Sequence, residues 1–294
     1  MAEHILERAQ HARVLRFDAV EAAVYGSQSR QALFDDLSFR ENLFGRLDSL
    51  LSPEMILSLD IFDTVLLRDN SSELTRFIEI GGLMAAHVGG AAPMDGFMAR
   101  HLGTKATYRA GKTVNGCREG SLTEIHRTAS RLLTGDDGAS SDFIEIELDY
   151  EAGRLTPNAL LIDYIRHHHQ RGGQAILVSD MYMHADQIAG LLEKVGVEGA
   201  LFARIFSSAD SKVSKASGGI FAVIEEALDA PSDAFAHVGD SLHGDFQRPL
   251  AHGWKALHLP VARAEIEERR LDHLQSARAL ELQHGIRIDI ATPH

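Results

Sequence analysis

The chain is 294 residues long, with an apolar fraction of 45%, 24% charged side chains and a formal net charge of −13. That acidity argues against nucleic acid or an anionic membrane as the main partner, since both reward clustered Lys and Arg, and no window approaches the roughly 18 uninterrupted apolar residues of a membrane span. The amino terminus, MAEHILERAQHARVLRF, lacks the residue order of a secretion signal, and the lone Cys117 excludes an internal disulfide framework. A cytoplasmic protein is expected, built as one large domain or as a core with a sizeable insertion.

Residues 1–53 read as a helical extension, with Leu43, Phe44, Leu47, Leu50 and Leu51 on one face. After Pro53 the apolar run Met55 to Leu59 has the length of a central parallel strand, and it ends on Asp60, with Asp63 three positions later. Burying a carboxylate without a partner costs several kcal/mol, so an acid at such a strand tip is expected to be paired, capped, metal-bound or reactive. From 69 to 170 the texture is helical, including a capping-box pattern at Ser121 and Glu124 and a helix that stops at Gly172 and Gly173. QAILVSDMY is a second buried strand, ending on Ser179 and Asp180; a helix near 185–195, the strand ARIFSS and a helix near 218–228 follow. AFAHVGD is a strand ending on Asp240, KALHLP a further short one, and 266–282 an amphipathic helix. Strands alternating with helices predict an α/β fold with a doubly wound parallel sheet, in which ligands sit at the carboxyl ends of the strands. The expected division is an N-terminal extension (1–53), a core (54–68 and 171–262), a helical insertion (69–170) and a C-terminal helix and tail (263–294).

Four segments in this order, LDIFDT, LVSDMY, SKVSKASGGIF and VGDSLHGD, resemble the haloacid dehalogenase (HAD) superfamily of hydrolases, and their wording is similar to a bacterial branch of predicted hydrolases with IFDT, SDMY and KASG motifs. The resemblance implies a Rossmann-like core with a helical cap inserted after the first strand. It implies Asp60 as nucleophile, Ser179 as phosphate-binding hydroxyl, Lys215 as the fixed positive charge, and Mg²⁺ held by Asp60, Asp240, Asp245 and the Phe62 backbone carbonyl. The residue chemistry agrees. A strand-tip carboxylate can form a covalent ester, an ammonium can quiet it and the transferring group, and converging carboxylates call for a hard cation such as Mg²⁺. Lys212 is the alternative cation; Lys215 is preferred because KxxGxIF matches the family's spacing.

Phe62 departs from the pattern. Phosphatases of the superfamily usually carry a second Asp there as general acid, whereas the dehalogenase branch has an aromatic. Asp63, which stands where the family commonly has Gly, and Asp180 are the candidate replacement acids, and Phe62→Asp is expected to restore a proton donor. Within 69–170, Arg100, Lys105, Tyr108, Arg109 and Lys112 form a basic cluster at helical spacing, read as solvated face or as contacts for an anionic substrate, with Arg109 and Asp180 the named candidates. His167, His168 and His169 point about 100° apart on a helix and cannot share one ion, so they read as its surface end. The expected activity is a Mg²⁺-dependent phosphatase on a small phosphorylated metabolite, working through an aspartyl-phosphate. A metal-independent dehalogenase and a catalytically quiet phosphate-binding module are the alternatives. Oligomer formation is open through the terminal helices.

Overall fold

The computed structural model describes residues 18–291; residues 1–17 of the expected extension lie outside it. Three helices come first: α1 (Ala19–Gly26), α2 (Arg30–Phe34) and α3 (Leu37–Leu50). Each begins on a side chain that accepts one of the orphan first-turn amides: Asp18 from Val20, Ser29 from Ala32, Asp36 from Phe39. The stripe read from the sequence buries Leu43, Leu47 and Leu51, and Phe44 meets Tyr164 edge-on at 5.0 Å.

The chain continues as β1 (Ile56–Leu59), β2 (Leu66–Arg68), α4 (Glu73–Val88), α5 (Pro93–Ala110), α6 (Leu122–Thr134), α7 (Ser140–Ala152), β3 (Leu155–Pro157) and α8 (Ala159–Gln170). It then runs through β4 (Gln174–Ser179), α9 (Ala185–Lys194), β5 (Arg204–Ser207), α10 (Ser208–Ser211), α11 (Gly219–Leu228), β6 (Phe235–Gly239), α12 (Arg248–His252), β7 (Lys255–His258) and α13 (Arg263–His284). Five strands form one parallel sheet in the order β5-β4-β1-β6-β7. Both faces are covered, as the near-continuous apolar strands require. Leu57, Leu59, Ala175 and Leu177 face one core; Ile176, Val178, Phe235 and Trp254 face the other. Each fully buried aliphatic side chain contributes about 1.5–3 kcal/mol relative to exposure.

Helices α4 to α7 fold out between β2 and β3, which pair as an antiparallel ribbon through Leu66 and Pro157. The expected insertion, 69–170, is one helix too long: α8 packs on β4, and Asn158 at its start donates to the Thr64 carbonyl at 2.9 Å. The ribbon was invisible in the sequence because three-residue strands leave no periodicity. Helices α4 and α5 approach so closely that a Cβ on Gly96 would strike the Gly81 carbonyl, which explains two glycines inside helices where they otherwise cost stability. Ser121 caps its helix, its hydroxyl accepting the Glu124 amide, but the reciprocal half of the expected capping box is not made: the Glu124 carboxylate accepts from the Ser121 hydroxyl at 3.0 Å and not from its backbone amide. Among the described residues no helix is long and apolar enough to cross a membrane.

Candidate active site

Register places the motifs together. Leu59 pairs with Leu177 and with Val238, so the next residues of β1, β4 and β6 meet at one end of the sheet, and the Asp60 amide donates to the Val238 carbonyl at 2.9 Å. Lys215 arrives from the loop before α11. Its Nζ donates to Asp60 Oδ1, to the Val178 carbonyl at 3.1 Å, and pairs with Asp245 Oδ1 at 2.6 Å. Asp245 also accepts the Ser241 amide at 2.9 Å and meets His237 Nε2 at 3.1 Å. Gly239 makes room for this, because a Cβ there would collide with the Asp245 carboxyl. His237 Nδ1 lies 2.7 Å from Ser58 Oγ. Burial, chiefly, lowers the pKa of His237, so the ring is neutral, its Nε2 donating to the carboxylate and its Nδ1 accepting from Ser58. Ser179, buried at the end of β4, accepts the Met181 amide at 3.1 Å.

The electrostatics are unbalanced. Ligand oxygens of Asp60, Asp240 and Asp245 lie within 4.8 Å of one another, and Lys215 is the cation among them. Burial alone would lower the Lys215 pKa, but Asp245 and Asp60 outweigh it and hold the ammonium protonated. Burial opposes ionisation of Asp245 too, yet Lys215 and His237 keep it below the ordinary carboxylate range. Asp60 is pushed up to about 7, mainly by burial, with Lys215 offsetting only part and Asp245 adding to it. Asp240 is raised well above its ordinary value by burial and by the charges of Asp60, Asp63 and Asp245, and among the described residues no basic side chain lies within 4 Å of its carboxylate. A hard divalent cation fits this donor set: three oxygen ligands, one of them uncompensated.

Asp63 has a different setting. Its φ of 62° is left-handed, the conformation Gly adopts freely and Asp tolerates better than most residues. Arg30 Nη2 donates to its Oδ1 at 2.6 Å, while Arg269 spans both oxygens at 2.8 and 2.9 Å. Arg30 in turn is bound by Glu265, through its backbone amide and its Nε at 2.7 Å each. Burial favours the neutral acid, but Arg269 and Arg30 override it and drive the Asp63 pKa far down. A carboxylate so held donates no proton near neutral pH, and Asp63 instead ties α2 and α13 to the loop after β1. Asp180 is occupied as well: its two oxygens accept the amides of Lys215 and Ala216 at 2.7 and 3.0 Å, which fixes the loop that aims Lys215. Neither candidate acid is thus in a donor's position. For Asp63→Asn we expect about 3–5 kcal/mol of lost stability at pH 7, the cost of weakening the hold on one buried guanidinium, Arg30, and one half-buried one, Arg269. Because the folded pKa is depressed, the wild-type advantage is complete above the unfolded value of about 4 and shrinks as pH falls below it. Denaturant midpoints of both proteins at pH 7 and 3.5 measure this; equal midpoints at pH 7 would discard the clasp.

Arg109 does not join the site. It is exposed and lines a cavity of about 300 Å³ with Glu73, Phe77, His101, Tyr108 and Asp289, which includes no motif residue. Of the rest of the basic cluster, Arg100 is buried against Glu147 at 2.6 Å and Lys105 pairs with Asp289 at 3.1 Å. The three histidines diverge as expected, but His168 is buried, 3.0 Å from the Met55 carbonyl, and not at the surface. Sequence reasoning missed Ser58 and His237. The signal was present: each is the polar residue inside an otherwise apolar strand, and the two are paired across β1 and β6.

No protein-family model matches the chain, and no curated protein matches it by sequence. Solved structures do. A 2-haloacid dehalogenase from Pseudomonas syringae pv. Tomato DC3000 is similar at a TM-score of 0.50, with 13% identity over 69% of this chain and 85% of that one. A haloacid dehalogenase-like family hydrolase from Xanthomonas campestris has 18% identity over 76% of this chain and 94% of its own, at a TM-score of 0.43. A predicted phosphoglycolate phosphatase from Haemophilus somnus has 13% identity over 72% and 89%, at 0.42. At such identities the likeness concerns architecture, and the first of these, with the parallel sheet and the inserted helices, carries the conclusion: the chain has the fold of the haloacid dehalogenase hydrolases.

Proposed function

We propose that the chain is a Mg²⁺-dependent phosphatase that hydrolyses a small phosphorylated metabolite in the cytoplasm. The observation that carries this reading is the surplus of negative charge at Asp60, Asp240 and Asp245, met among the described residues by Lys215 alone. Asp60, Asp240, Asp245 and the Phe62 carbonyl would hold the cation, which when bound neutralises phosphoryl oxygens as charge develops. Asp60 attacks phosphorus, forming the aspartyl-phosphate as the bond to the leaving oxygen breaks, and water then cleaves the acyl phosphate. Lys215 orients Asp60 and offsets part of what burial costs its charge. Ser179 accepts the Met181 amide, which leaves its own hydroxyl proton for a phosphate oxygen. With Asp63 ionised and Asp180 occupied, the leaving group departs with little protonation, so acyl phosphates, sugar 1-phosphates and aryl phosphates are the favoured substrates.

Phe62 favours a second reading, a hydrolytic dehalogenase in which Asp60 attacks carbon and halide leaves. A panel of phosphate esters and 2-haloacids, assayed with Mg²⁺ and with EDTA, separates the two. Mg²⁺-dependent phosphate release supports the first, halide release in EDTA the second, and no turnover at all leaves a quiet binding module. We further expect Asp240→Asn to weaken Mg²⁺ binding more than Asp245→Asn, because Asp245 is already engaged by Lys215, His237 and the Ser241 amide. Equal affinities by calorimetry would count against this ordering.

A further inference from the structure

Buried guanidiniums are almost always matched by acceptors, since each carries five N–H donors. Arg30 makes bonds of 2.6–2.7 Å to Asp63 and Glu265, and Arg100 meets Glu147 and Thr104 at 2.6–3.1 Å. Two other arginines, half-buried Arg68 and buried Arg76, break the pattern. The Arg68 side chain finds only Met181 Sδ at 3.8 Å, and Arg76 makes no side-chain hydrogen bond among the described residues. Both Nε atoms are buried without a partner, as are both oxygens of Glu151. The two arginines share Glu151 Oε2 at 3.8 and 3.9 Å, too far for hydrogen bonds. Arg68 also lies 3.9 Å from Asp63, whose oxygens Arg30 and Arg269 already take. Two cations therefore divide one unbonded carboxylate.

Their position gives this meaning. The Arg68 guanidinium stacks 4.2 Å over the Phe62 ring and reaches Met181, so it lies over the two loops that present Asp60 and Ser179, each two residues from its contact. Arg76 stands beside it on α4, the first helix of the insertion. We infer that Arg68 and Arg76 form a subsite for a second anionic group, a carboxylate or a further phosphoryl group on the non-reacting part of the substrate. A planar fork suits either oxyanion bidentately, and Glu151 is the partner the incoming anion replaces. The inference rests on the phosphatase reading and narrows its substrates to those with a charged tail.

The test uses non-hydrolysable probes on the Mg²⁺-loaded wild-type chain: propylphosphonate, 3-phosphonopropionate and propane-1,3-diphosphonate, titrated by calorimetry. Both charged-tail probes, or one of them, should bind on the order of tenfold to a hundredfold more tightly than propylphosphonate, and which one does so identifies the oxyanion. That ratio should fall towards one in Arg76→Met and in Arg68→Met, with partial retention in Arg68→Lys, which keeps the charge and loses the fork. If Arg68→Met fails to fold, Arg76→Met carries the test, since among the described residues the Arg76 guanidinium has only the long ion pair to Glu151 to lose. Equal binding of the three probes, or a preference that survives both substitutions, overturns the subsite. Turnover of p-nitrophenyl phosphate reports separately on the parent reading. Turnover without tail preference removes the subsite alone, and an Arg76-dependent preference without turnover of any ester removes the phosphatase alone.

Discussion

Asp60→Asn is expected to abolish turnover, by a factor of about 10⁴ or more as for other lost nucleophiles, in a chain that still folds. The amide keeps the shape of the side chain, and the strand that carries it is fixed by its own bonds: Leu59 stays paired on both sides and the residue-60 amide still reaches Val238. Lys215 retains Asp245 and the Val178 carbonyl, so the ammonium is not stranded. Stability should separate the nucleophile from a merely structural acid. The Asp60 pKa is raised in the fold, to about 7, so its ionised form works against folding at higher pH, and a neutral residue removes that cost. In EDTA at pH 8 the variant should therefore unfold at or above the wild-type temperature, while added Mg²⁺ should stabilise it less than it stabilises wild type. Activity above a few per cent of wild type with normal unfolding would remove Asp60 from the role.

Much of this arrangement could be read from the chain before folding it. Apolar runs that end on Asp60, Ser179 and Asp240 mark parallel strands whose tips must meet, and the sheet brings them together. Local chemistry announced helix starts such as Ser121. Contacts between distant segments were not legible, because nothing local encodes them. Asp63 looked like an available acid until Arg30 and Arg269, more than 200 residues apart in sequence, were seen to close on it. Asp180 looked free until the Lys215 loop folded onto it. Arg68 and Arg76 passed unnoticed because an unsatisfied donor is a property of the folded surroundings and not of the residue.

Helix α13 shows how these long contacts combine. Near its start Glu265 binds Arg30 and Arg269 grips Asp63; further along, Asp272 accepts the Ser72 amide at 2.8 Å and the Thr75 hydroxyl at 2.6 Å, at the head of α4. One helix thus touches both the loop after Asp60 and the first element of the insertion. The tilt of α4, and with it the place of Arg76 relative to Asp60, is set from the far end of the sequence.

The proximity of Arg68 to the loop after Asp60 changes what Phe62→Asp should do. From sequence alone the substitution supplies the missing general acid, and the gain on an alkyl phosphate should approach a factor of about 10². In the fold the new carboxyl would replace a ring that lies 4.2 Å beneath the Arg68 guanidinium, and an adjacent guanidinium favours the ionised carboxylate. An acid held ionised donates no proton, so Phe62→Asp alone should gain less than about threefold on n-propyl phosphate, whose leaving oxygen needs protonation most. Phe62→Asp with Arg68→Met removes that guanidinium, and it is the double variant that should recover the factor of about 10². On p-nitrophenyl phosphate, whose leaving group departs readily unprotonated, both variants should stay close to their parents. Both also add a carboxylate near Asp60 and Asp240, so unfolding temperatures in EDTA should fall and Mg²⁺ should restore them. A full gain in the single variant would mean that Arg68 does not hold the new acid ionised; no gain in the double variant, with Mg²⁺ still bound, would mean that a residue other than Asp63 and Asp180 already protonates the leaving group.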